Sequence, residues 1–288
     1  MRATLVIARH VVQESVRRRV FAVVFLLTLL FLGLFTLASA KAFAAAAPLG
    51  FGPGGVLDNR QATSITAVTL LGLGAFASLF LATVLAVFLT LGAVRGDAER
   101  GLLQPLVVRP LGRRELLLGR FTGAVAVCVA YTTVLYAAVV LIVHQAGGTW
   151  PGTVVGPGAA LDAAITILVA MSLLGSVLLS ATANGITMFM LYGAGLVSGL
   201  LASVGSVLNA STVETIAHDI AIALPFEGLY QAGLHALGSN EVGLGRVLVN
   251  LGPFGSSHAG SLGFDVWAAF YLCAVGAVAA VAFERRDL

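Results

Sequence analysis

The chain has 288 residues, 59% of them hydrophobic and 10% charged, with a net charge of +3 and a mean hydropathy of +1.00. A soluble domain carries about a quarter of its residues as charges to keep its surface wet. This composition therefore excludes a water-soluble globule and requires most of the surface to face lipid.

Residues 1–19 precede the first apolar run. Over 3–17, Leu5, Ala8, Val12 and Val16 share one helical face, opposite Arg9, Gln13, Glu14 and Arg17. The pattern predicts an amphipathic helix lying in the cytoplasmic headgroup layer. Six runs then qualify as spans: 20–40, 63–94, 121–143, 163–183, 185–208 and 265–283, uncharged except for Asp265 at the edge of the last. A hydrocarbon core of ~30 Å needs about 20 helical residues. The second run exceeds that length, so it must tilt, kink or protrude, with Gly72 and Gly74 as kink points. Ala38-Ser39-Ala40 has the form of a signal-peptidase site, but the apolar run before it is longer than the ~7–15 residues of a secretory core. It reads as a span.

Between the spans, 41–62 is rich in Ala, Gly and Pro and reads as irregular outer structure. Residues 95–120 are divided by Pro105 and Pro110, neither of which continues a helix. Asp97–Gln104 gives about two turns, and Gly112 with Glu115 three residues on restarts a helix into the third span. Ala183-Asn184-Gly185 predicts a tight turn between the fourth and fifth spans. Those spans carry small residues four apart, Ser172, Ser176 and Ser180 in one, Gly195 and Gly199 in the other. Such stripes serve packing within one subunit or a contact between subunits. In 209–264, Ser211-x-x-Glu214 fits a capping box and Pro225 stops the helix that follows. A second apolar face runs through Phe226, Leu229, Tyr230, Gly233, Leu234 and Leu237 to Gly238. Two short extracytoplasmic helices result, their apolar faces dipping back towards the membrane.

An even number of spans puts both termini on one side. That side receives thirteen of the sixteen basic residues: five arginines from Arg2 to Arg19, six from Arg95 to Arg120, and Arg285 and Arg286. Only Lys41, Arg60 and Arg246 fall opposite. By the positive-inside rule both termini and the 95–120 loop are cytoplasmic. The net charge reflects this topology and points to no nucleic acid. Fifteen arginines against one lysine fit a high-GC bacterial genome.

Catalytic patterns are missing from the sequence. A phosphate-binding loop needs glycines followed by Lys, and the single lysine, Lys41, lies on the outer side. No HExxH, CxxC or Gly-x-Ser-x-Gly occurs, and Cys128 and Cys273 lie within spans. Glu227, Gln231 and His235 share a helical face, with His218 and Asp219 nearby. They read as the polar side of an outer helix, or as a metal or catalytic site. The spans hold none of the buried carboxylates or histidines that ion-coupled transporters use as relays. The chain is thus read as a non-enzymatic conduit or scaffold moved by another component. Its pathway or dimer contact is assigned to Phe76, Phe80, Gly195, Ser198 and Gly199, with a wall of hydroxyls from Thr66, Thr69, Ser78, Thr83 and Thr90 in the second span. The fifth adds Asn184, Thr187, Ser203, Ser206 and Asn209.

The loop Glu99-Arg100-Gly101-Leu102-Leu103-Gln104-Pro105-Leu106, followed by Pro110-Leu111-Gly112-Arg113-Arg114-Glu115-Leu116-Leu117-Leu118-Gly119-Arg120, resembles that of ABC-2 type permeases. The likeness is to the branch associated with multi-copper enzyme maturation, whose loop reads Glu-Arg-Gly-Thr-Leu-x-Pro-Leu-Leu, a proline, then Ser-Arg-x-x-x-Leu-x-(Lys/Arg). Leu102 stands for the Thr and Gly112 for the Ser. The resemblance implies a single permease domain over 1–288, acting as an exporter in a bacterial plasma membrane. It implies a dimer with a second permease copy or paralogue, driven by two separate ATPase subunits that bind the ATP and Mg. No cofactor is implied in this chain. Asp97, Glu99, Arg100, Gly101 and Leu103 would couple to the ATPase, and the second and fifth spans would lie near the dimer axis. A secondary transporter and a non-transporting scaffold are the alternatives.

Overall fold

A computed structural model describes residues 19–46, 59–91, 113–147, 150, 152–208, 210–238 and 260–285. The helices are α1 (Arg19–Ala46), α2 (Asn59–Thr90), α3 (Arg113–Gly147), α4 (Val155–Leu178), α5 (Ala181–Leu208), α6 (Ser211–Ala223), α7 (Pro225–Gly238) and α8 (Leu262–Glu284). Among the described residues there is no strand. Among the described residues, six helices, α1 to α5 and α8, are long and apolar enough to cross a membrane, as the hydropathy runs predict. The expected interfacial helix over 3–17 and most of the 95–120 loop lie outside the described residues. Helix α3 begins at Arg113, the position the Gly112 cap predicts.

Helix α2 is the hub. It packs against α1, α3 and α4, and Leu71, Leu79, Ala82, Leu85 and Ala86 are almost wholly buried. An all-round apolar helix is the type that suits a position enclosed by others. Helical hydrogen bonding runs unbroken from Asn59 to Thr90. Gly74 receives Val139 of α3, whose side chain occupies the space a Cβ would need. Helix α1 lies at the edge, burying a stripe that includes Val24, Thr28, Phe35 and Ser39.

Two boundaries differ from the sequence reading. The turn between α4 and α5 falls at Leu179–Ser180, three residues before the predicted Ala183-Asn184-Gly185. Ser180 can cap a helix start: its Oγ accepts from the Ala183 N–H at 3.4 Å and its carbonyl from the Asn184 N–H at 2.8 Å. Asn184 is thus free to reach back, its Nδ2 donating to the Ser172 carbonyl at 3.0 Å. Helix α4 begins at Val155, so Asp162 lies inside it and accepts from Thr133 Oγ1 of α3 at 2.9 Å.

Helices α6 and α7 form a hairpin set into the bundle. Near its start α6 lies against the end of α5, where Glu214 covers Gly205. The predicted capping box does not form. Ala210 is the N-cap, without a side-chain bond, and its carbonyl accepts from the Glu214 N–H at 3.1 Å. Ser211 is already helical and so cannot serve as the cap. Pro225 then opens α7, the position where its missing N–H costs nothing. Phe226 meets Gly195 in the middle of α5, while Gly233 meets Pro157 and Ala160 near the start of α4. The hairpin tip therefore reaches thirteen residues down from Leu208, about 20 Å of helix. Trp267 of α8 holds its flank by donating Nε1 to the Ile222 carbonyl at 3.0 Å.

Candidate functional site

The site forms where α7 meets the middle of α5. Gly195 and Gly199 are one turn apart on α5, and Phe226, Glu227 and Gln231 present a matching turn of α7. A Cβ at Gly195 would stand 2.7 Å from Phe226 Cζ, and one at Gly199 would collide with Glu227 Oε1 and Gln231 Nε2. The four-residue glycine spacing thus admits α7 of the same chain, which is how small residues permit close helix approach in lipid.

From this contact runs a line of aromatic rings. Phe76 and Phe80 of α2 lie 6.4 Å apart, Phe80 and Tyr192 of α5 lie 6.0 Å apart, and Tyr192 stacks on Phe226 at 6.0 Å. These separations fall within the range of favourable ring pairs. Phe80 is 41% exposed, whereas Tyr192 and Phe226 are buried. Gly195, Ser198 and Gly199 thus lie at the hairpin tip, and Phe76 and Phe80 connect to it through Tyr192.

Glu227 is the decisive residue that sequence reasoning misplaced. Expected on a water-facing side, it is 1% exposed, and Gln231 is 9% exposed. Gln231 Nε2 donates to Glu227 Oε1 at 2.9 Å. Glu227 Oε2 is buried with no hydrogen-bond partner among the described residues. Burial pushes its carboxyl up to about 7, the bond from Gln231 opposing the shift. The hydropathy runs could not show this, because α7 is not one of the spans. The available signal was a Glu-x-x-x-Gln pair one turn long facing a Gly-x-x-x-Gly stripe of the same length.

Beside the pair lies a cavity of about 130 Å³, lined in part by Ser198, Gly199, Ala202, Ala217, Glu227 and Gln231. His235 is only half-buried. Among the described residues no cluster of three His, Cys, Asp or Glu side chains is placed to hold a metal.

The hydroxyls of α2 are turned inward to their own backbone. Thr66, Thr69, Ser78 and Thr83 each donate to the carbonyl four residues earlier, at 2.7 to 2.8 Å. Thr90 donates to Ala86 at 3.0 Å and meets Ser172 of α4 at 2.6 Å. These bonds favour the packing reading of the hydroxyls. Ser203 and Ser206 side chains, Asn209, and the expected coupling residues Asp97, Glu99, Arg100, Gly101 and Leu103 lie outside what is described.

The six-span helical bundle has a match among known families. The model of the ABC-2 family transporter proteins matches residues 5–288. The chain belongs to the ABC-2 transporter family. It is therefore a membrane transport component, and ABC-2 permeases work with ABC ATPase subunits. The match takes in the hairpin and the loop motif together with all six spans. No curated protein matches this ABC-2 chain.

Proposed function

We propose that this chain is the permease subunit of an ATP-driven exporter, in the branch associated with multi-copper enzyme maturation. It acts as a dimer with a second permease copy or paralogue. Separate ATPase subunits bind ATP and Mg and push on the loop around Glu99 and Arg100. The arginine distribution supports a bacterial plasma membrane location with both termini cytoplasmic. One observation carries the reading: the family match covers the whole bundle from residue 5 to residue 288.

The exposed side of α5 supports a dimer contact better than its glycines do. Gly195 and Gly199 are covered by α7 of the same chain. Ile186, Met190, Val197 and Leu200 are exposed and lie on another face. The aromatic line suits an amphipathic or lipid-like cargo better than a small ion, which needs charge or carbonyl rings.

The deciding experiment purifies the tagged chain from its native membrane under mild detergent and identifies bound proteins. An ABC ATPase recovered in stoichiometric amount, with hydrolysis stimulated by the permease, is the expected result. Recovery of the intact chain without any ATPase, and transport that collapses with an ion gradient while ATP is present, would sink the proposal.

A further inference from the structure

The permease reading leaves the Glu227 cavity without a role. Its lining is mostly apolar, with Ala202, Ala217 and Phe264 beside Ser198 and Ser261. Its wall includes Glu227, a side chain 1% exposed, one of whose carboxyl oxygens has no partner among the described residues. A volume of about 130 Å³ exceeds the ~30 Å³ share of one water and matches a headgroup of a few heavy atoms. At the rim, Ser261 and His218 are exposed, and Leu262, next to Ser261, is 85% exposed. An occupant's apolar tail can therefore leave the cavity along hydrophobic surface.

We propose that this cavity binds the primary ammonium group of an amphiphile, with the Glu227 carboxylate as its acceptor. The chemistry selects the sign and the donor count. An ionised carboxylate only accepts hydrogen bonds, whereas an ammonium offers three donors and a full positive charge. An anion would be repelled, and an alcohol supplies one donor without charge. A buried carboxylate left unpaired is costly, and an ammonium supplies the opposite charge that offsets this cost. Tyr192 of α5 and Tyr230 of α7 are the titratable groups that feel the charge of Glu227, and His218 of α6 lines the same cavity. The ammonium has two possible sources, an amphiphilic cargo or the ethanolamine headgroup of a membrane lipid. The inference rests on the permease reading only for the first of these, since binding is measured on the chain alone.

The test titrates the full chain in maltoside micelles with n-octylammonium and with n-octanol at pH 8. The signal is tryptophan fluorescence, because Trp267 bonds the carbonyl of Ile222 beside the cavity-lining Ala221. Octylammonium should bind at least about tenfold tighter than octanol, and Glu227→Gln should cut that preference to within about twofold. Ala221→Leu, a change at a half-buried rim position, should weaken both probes and guards against misfolding of the first variant. Equal binding of the two probes, or a preference that survives Glu227→Gln, overturns the site. Nanodiscs then separate the sources. Weaker octylammonium binding in phosphatidylethanolamine discs than in phosphatidylcholine discs, which carry the same net charge but no primary ammonium, assigns a lipid headgroup, and equal binding assigns a free amphiphile. Failure here leaves ATPase capture unaffected, so the two readings fail separately.

Discussion

Glu227 of α7 occupies the space that a side chain on Gly199 of α5 would need, and a Cβ there would collide with its Oε1. An acidic residue is thereby brought against the middle of α5, a helix with no charged residue of its own. Both the packing of the hairpin and the chemistry of its tip depend on this one missing side chain.

Substitutions along α5 should separate close approach from helix propensity. Gly199→Leu should destabilise the fold by about 1–3 kcal/mol, the usual cost of overfilling a packed contact. At Gly193 a Cβ would meet nothing within 4 Å, so Gly193→Ala should be neutral or stabilising by up to ~1 kcal/mol. Thermal melts in detergent read both. Equal effects would show that α7 does not seat against Gly199.

The buried carboxyl predicts a pH dependence of stability. Its value in the fold, about 7, is raised from an ordinary 4.5. The folded chain therefore holds the proton more tightly than the unfolded chain. Stability should fall as pH rises from about 4.5 to about 7 and level off above, by ~3 kcal/mol at 1.36 kcal/mol per pK unit. Glu227→Gln should remove this slope. The difference between the two melting curves against pH isolates the group from other carboxylates, and parallel curves would contradict its burial.

Polar contacts at the other end of α5 should matter less. Asn184→Ala removes the bond to the Ser172 carbonyl, and helix-to-helix bonds of this kind in membranes average about 0.6 kcal/mol. A loss of roughly 0.5–1.5 kcal/mol is expected in the same melts. A collapse of the fold would mean that Asn184 anchors more than this bond.

For the dimer, cysteines at Met190 and Val197 should cross-link between copies under mild oxidation, while cysteines at Gly195 and Gly199 should not. The first pair is exposed and the second is covered by the chain's own hairpin. Cross-linking through exposed α1 positions such as Leu30 and Leu34, with none at 190 and 197, would move the dimer contact to α1.

Coupling is expected in the 95–120 loop. Glu99→Ala with Arg100→Ala should leave membrane insertion intact and weaken ATPase association or transport-linked hydrolysis. Unchanged pull-down and hydrolysis would place the coupling element elsewhere.

The sequence by itself determined the membrane class, the six spans and the family likeness of the loop. These depend on local quantities: a run of about 20 apolar residues reports its own insertion, and Pro225 and Gly238 mark the ends of α7 wherever it lies. Only the tertiary structure decided what the small and polar residues face. Gly195 and Gly199 read as an intrasubunit or an intersubunit stripe, because a missing side chain says that something comes close without saying what. Glu227 and Gln231 read as a wetted face, because periodicity places residues on a common side but does not say whether that side meets water or a glycine stripe. Their burial follows from the hairpin turning back at Leu224, which sets α7 between α4 and α5. That is a contact between segments some thirty residues apart, which no local pattern encodes.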